Sequence, residues 1–211
     1  MGFLSITTVA IVALHMVTTA AAVPNVTAIP PTLSGCRDWP GYTIAAGDGT
    51  DYLELVVDQA EDTGINGLLT GSQLENRTGA AAVETAYISL LKSRKFAKPS
   101  YRCVNGQFQQ GVLGTPINLA KNYRAAYIIY GDGYPLQPYW HEIGGVRQPG
   151  RFLGAKNQTT WGFRYRQPVG CGDRDTYEVK LLGLPQDTEP TAQYEPEFKG
   201  FLRIRPWGKD D

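Results

Sequence analysis

Two segments of this chain alternate apolar and polar residues one for one. Thr160 to Arg166 sets Trp161, Phe163 and Tyr165 against Gly162, Arg164 and Arg166, and Thr176 to Leu184 sets Tyr177, Val179 and Leu181 against Thr176, Glu178 and Lys180. Successive side chains of a strand leave on opposite faces, so this pattern builds a ribbon with one apolar face. That face must be buried against another layer or against the same sheet curled on itself.

Other segments extend the pattern. Tyr52 to Val57 places Leu53, Leu55 and Val57 on one face, Tyr123 to Tyr130 is aromatic and β-branched, and Phe201 to Trp207 reads as a last short strand. Asn105-Gly106 sits between alternating residues in Tyr101 to Gln109, which predicts a two-residue type I′ hairpin. The chain carries 24 Gly and 14 Pro among 211 residues, a composition suited to many turns rather than to a helical bundle. Asp62 to Thr78 reads as a polar loop. One segment follows a helical stripe instead: Val83, Ala86, Tyr87, Leu90 and Leu91 predict an amphipathic helix over 79–95, with Lys92, Arg94 and Lys95 at its C-terminal end. The expected fold is mainly β, an antiparallel barrel or sandwich or an α+β domain, with that one helix.

The N-terminus reads as an address. Phe3 to Val17 is apolar apart from His15 and a few Thr and Ser, and Ala20-Ala21-Ala22 follows, so residues 1–22 are expected to be a signal peptide cut after Ala22. Residues 23–35, with Pro24, Pro30 and Pro31, predict an extended arm, and 36–211 a single β-rich domain. The sequons Asn25-Val26-Thr27, Asn76-Arg77-Thr78 and Asn157-Gln158-Thr159 make Asn25, Asn76 and Asn157 candidate glycosylation sites on a secreted, extracellular protein. In an oxidising compartment two of Cys36, Cys103 and Cys171 are expected to pair, and three pairings are open.

Charge and motifs narrow the chemistry. Lys+Arg and Asp+Glu are 20 each, so the chain lacks the general positive field of a nucleic-acid binder. No C-x-x-C occurs and only His141 remains after signal removal, so neither a metal nor a cofactor is expected. No stretch beyond the signal is apolar and long enough for stable membrane insertion. G-x-S-x-G and phosphate-binding glycine fingerprints are missing. Arg124, Thr159-Thr160 and Glu195-Pro196-Glu197 are similar in order to the Arg, Ser-Thr-Ser and Glu-x-Glu motifs of ADP-ribosylating toxins. Pro196 separates the acids and the middle motif lacks serine, so the order assigns no family.

Tyr139-Trp140-His141-Glu142 joins a near-neutral titrating group, a carboxylate and two aromatics. It makes His141 and Glu142 candidate catalytic residues and Tyr139 and Trp140 candidate ligand contacts. Adjacent strand residues face apart, however, and a structural histidine in an aromatic setting is the competing reading. Arg164 and Arg166 share one strand face and Arg203 and Arg205 another. Were the strands neighbours, four guanidiniums would line one anion-binding surface, with Arg164 and Arg166 as ligand contacts; the bland alternative is exposed ion pairing with Glu178 and Glu195. The expected function is binding of an extracellular partner or small ligand. The alternative is a cofactor-independent pocket enzyme, an isomerase, cyclase or hydrolase, using His141 as general acid–base.

Overall fold

A computed structural model describes residues 22–75, 85–91, 101–111, 114, 116–120, 126–128, 133–167, 176–184 and 196–208. Along the chain the strands are β1 (Thr27–Ile29), β2 (Tyr42–Thr43), β3 (Gly49–Thr50), β4 (Leu53–Asp58), β5 (Thr70–Glu75), β6 (Thr85–Leu91), β7 (Tyr101–Val104), β8 (Gln107–Gln110) and β9 (Asn118–Ala120). They continue with β10 (Ala126–Ile128), β11 (Gly133–Pro135), β12 (Gln137–Ile143), β13 (Val146–Arg147), β14 (Arg151–Gly154), β15 (Thr160–Arg166), β16 (Thr176–Leu181) and β17 (Phe198–Pro206). Every strand pairing among the described residues is antiparallel.

The pairing closes into a ring. β17 lies between β4 and β15, β15 pairs with β16, β16 with β6 and β6 with β5. A bridge between Val56 and Leu69 then returns the sheet to β4. Closure removes the open edges that a flat sheet of this size would expose. The inward residues are those the alternation selected. Trp161 faces Leu181, Phe163 faces Val179 and Tyr165 faces Tyr177, while Leu55 faces Ile204 and Val57 faces Leu202. All ten belong to the main hydrophobic core or pack against it. The Trp161 indole Nε1 donates to the Leu153 carbonyl at 2.8 Å, so its one polar group is satisfied inside the core.

Two further groups of strands pair with this ring. β12 pairs with β1, β13 and β14, and β14 joins β17 through Arg151–Ile204 and Phe152–Arg203. The β7–β8 hairpin turns at Asn105-Gly106, both with positive φ (51° and 77°), as the sequence predicts. It is tied to the N-terminal segment by a Cys36–Cys103 disulfide. Cys171 lies outside the described residues.

Two expectations are corrected. The segment read as a helix is strand β6 over Thr85–Leu91, and the rest of 79–95 lies outside the described residues. The same residues carry a period-two reading. Ile88 and Leu90 enter the core, while Ser89 and Leu91 on the other face are buried too. A strand covered on both faces reads as a nearly continuous apolar run, and such a run also matches a helical stripe. The loop read at Asp62 to Thr78 contains β5, paired residue by residue with β6. Within the proline-rich segment, residues 27–29 form β1, paired with β12. Among the described residues no helix is long and apolar enough to cross a membrane.

Candidate functional site

His141 lies on β12 opposite Ala28 of β1 and is fully buried. Its ring stacks on Phe152 with centroids 3.8 Å apart and an interplanar angle of 3°, and Phe201 meets it edge-on at 4.5 Å. Nε2 shares a 2.9 Å hydrogen bond with the Thr159 hydroxyl, itself buried. Nδ1 is buried with no hydrogen-bond partner among the described residues. Apolar rings on two sides favour the uncharged imidazole, and burial pulls the His141 pKa down to about 4.

Glu142 does not share this environment. It points to the other face of β12, half-buried, with Arg147 3.9 Å away. Tyr139 is buried, and its hydroxyl accepts a 3.2 Å bond from the Asn157 amide; burial pushes the phenol pKa up, and that bond opposes the rise. Trp140 is largely buried too. The Arg151 guanidinium lies 3.6 Å from its ring centroid and that of Arg147 5.1 Å, so cations of the chain itself already occupy the ring. His141 and Tyr139 thus face one way, Trp140 and Glu142 the other.

The arginines separate through register. β15 and β17 are neighbours, as the four-arginine surface requires. But Thr160 faces Phe201 and Phe163 faces Phe198. Extending that ladder sets Arg203 level with residue 158, six residues from Arg164, or about 20 Å along the strand. The two arginine pairs therefore sit toward opposite ends. Arg164 donates to Glu178 at 2.6 Å, and Arg205 pairs with Glu54. The Arg164–Glu178 pair is half-exposed, so Glu178→Gln is expected to change unfolding free energy by less than about 1 kcal/mol in a urea titration. A larger loss would show that Lys180, 3.5 Å from Glu178, binds it into a stronger network. Arg166 is exposed at the end of β15.

A different pair of residues shares a backbone rung at the end of the β4–β17 ladder. β4 and β17 place Glu54 opposite Arg205 and Leu53 opposite Pro206, and the Trp207 amide donates to the Tyr52 carbonyl at 2.9 Å, adding one rung. Residues opposite one another in an antiparallel ladder share a face. Tyr52 and Trp207 therefore sit at one backbone level, next to the Leu53–Pro206 rung. They are 46% and 56% exposed, whereas most other large aromatics of the described residues are buried. Sequence reasoning missed both. The local signal was their place just outside a strand, Tyr52 before Leu53 and Trp207 after Pro206; only the ladder shows that they share a level.

Asn25 and Asn157 are both exposed, and Asn76 lies outside the described residues. Among the described residues no group of three or more His, Cys, Asp or Glu side chains is placed to hold a metal ion. No family model matches the chain, and no curated protein sequence matches it.

Proposed function

We propose that this chain is a secreted, N-glycosylated protein that acts by binding an extracellular partner or small ligand, with Tyr52 and Trp207 as its contact residues. The observation that carries the reading is that two exposed aromatic residues are held at one backbone level at the end of the β4–β17 ladder, two residues from the Glu54–Arg205 ion pair. Tyr and Trp present large, stiff apolar faces with a polar tip, which suits recognition of rings and sugars as well as protein surfaces. The enclosure of His141 by Phe152, Phe201 and Thr159 supports binding over the alternative of a pocket enzyme, because a general acid–base must reach its substrate. The Cys36–Cys103 disulfide supports passage through an oxidising compartment.

The test compares wild type, Tyr52→Ala and Trp207→Ala against a panel of polysaccharides and extracellular proteins. Truncating a contact aromatic is expected to weaken binding at least about 30-fold, the scale of a 2 kcal/mol hot spot, with the melting temperature nearly unchanged. Binding that survives both substitutions places the contact elsewhere. Maturation is checked separately. The intact mass of protein from a eukaryotic secretion host is expected to begin at Val23 and to fall on treatment with a peptide N-glycosidase; a chain retaining Met1, or an unchanged mass, refutes the corresponding part.

A further inference from the structure

The sequon at Asn157 occupies a tight turn whose two ends face different environments. Ala155 and Gln158 exchange backbone bonds of 3.0 and 2.9 Å, and Lys156 and Asn157 between them both have positive φ (53° and 61°), a type I′ turn. The Asn157 amide is held by the Tyr139 hydroxyl. A Cβ on Gly154 would collide with the Gln158 carbonyl, so the hairpin is closed tightly at its base. Asn157 stands in solvent. Thr159, two residues on, is only 3% exposed, and its hydroxyl shares a hydrogen bond with His141 Nε2.

Transfer of an N-linked glycan needs both ends of the tripeptide in one enzyme site. A bond forms between the Asn side-chain nitrogen and the anomeric carbon of a lipid-pyrophosphate-linked oligosaccharide. The carbon–oxygen bond to the pyrophosphate breaks, the lipid pyrophosphate leaves with the electron pair, and the amide gives up one proton to solvent. The hydroxyl two residues downstream must be recognised in the same site. We infer that Asn157 accepts a glycan only while the β14–β15 hairpin is unfolded, and that folding ends its competence by transferring the Thr159 hydroxyl to His141. The inference rests on the glycosylated reading above.

The chain contains its own contrast. At Asn25-Val26-Thr27 both Asn25 and Thr27 are exposed, so that tripeptide keeps its two recognition groups in solvent after folding. The experiment uses aglycosylated, disulfide-intact protein and the same chain reduced, alkylated and unfolded. Each is incubated with microsomal transferase and the lipid-linked donor, and occupancy is read at both sites by peptide mass spectrometry. The ratio of Asn157 to Asn25 occupancy is expected to fall at least about tenfold on folding, the effect of a 1.4 kcal/mol penalty. An equal ratio in the folded and unfolded chains overturns the inference. An unfolded chain that takes a glycan at Asn25 and none at Asn157 refutes instead the reading of Asn157 as a sequon. Thr159→Ser, which keeps a hydroxyl for both partners, is expected to preserve the contrast, and its loss would again overturn the inference.

Discussion

Removing the Cys36–Cys103 disulfide is expected to lower unfolding free energy by about 4 kcal/mol. The bridge spans 67 residues of sequence. Cross-linking a loop of that size removes closure entropy from the unfolded chain, and the chain-entropy relation gives about 4 kcal/mol at room temperature. The native side supports the full effect. Both cysteines are fully buried, beside Trp39 and Phe108, whose rings stack at 5.1 Å. The β7–β8 hairpin meets the rest of the sheet through few rungs: Gly49–Val104 on β3, Leu53–Tyr101 on β4 and a Gln109–Pro116 bridge. A Cys36→Ala/Cys103→Ala variant, unfolded in urea beside wild type, is expected to show the loss and a melting temperature lower by roughly 8–16 °C. A difference below about 1 kcal/mol would mean that the unfolded chain already holds these segments together. Alkylation of the denatured, unreduced wild type should leave Cys36 and Cys103 unlabelled.

The second large effect is acid sensitivity centred on His141. Its folded-state pKa of about 4 lies below the ordinary value of 6.5. The unfolded chain therefore binds a proton between those values that the folded chain refuses. Stability from this residue is fully present above about pH 6.5, declines as pH falls, and is lost by about pH 4. The full drop is about 3 kcal/mol. The physical cause is the sandwich of Phe152 and Phe201, which would have to accept a cation without water. His141→Leu keeps the volume and removes the titration. Wild-type unfolding free energy is expected to fall between pH 6.5 and pH 4 more steeply than that of His141→Leu, with the two profiles parallel again below about pH 4. Profiles already parallel between pH 6.5 and pH 4 would refute the assignment. Because β1 packs on β12 at the Ala28–His141 rung, the N-terminal strand is the segment expected to loosen first.

What was legible in the sequence follows the reach of each signal. Trp161, Phe163 and Tyr165 announced an inward face because strand periodicity is local, and Asn105-Gly106 announced its turn because the backbone there needs positive φ. The antiparallel fold class follows from such segments. β6 was not legible as a strand: Ile88 and Leu90 face the core, yet Ser89 and Leu91 are covered as well, so no exposed face was left to mark the period. The arginines failed in another way. Their faces were read from alternation, but the level of Arg164 against Arg203 depends on a register set by partners far away in the chain. The surroundings of His141 come from Thr159, Phe152 and Phe201 on separate elements, and the Tyr52–Trp207 rung joins the two ends of a long loop of chain. Neither site leaves a contiguous motif.

β17 carries a consequence for how the molecule assembles in time. It is the strand that both β4 and β15 need, and it follows all of them in the chain. Val57 and Leu202 face each other across most of the sequence. A fold whose central seam joins such distant segments has a high contact order, and chains of that kind must lose much loop entropy before the pairing rewards them. Folding is accordingly expected to be slow, which stopped-flow refolding checks. Until β17 docks, the free edges of β4 and β15 and the ring of Phe152 stand open to other chains, the state in which antiparallel proteins aggregate. Among the described strands, the one that comes last in chain order protects the others.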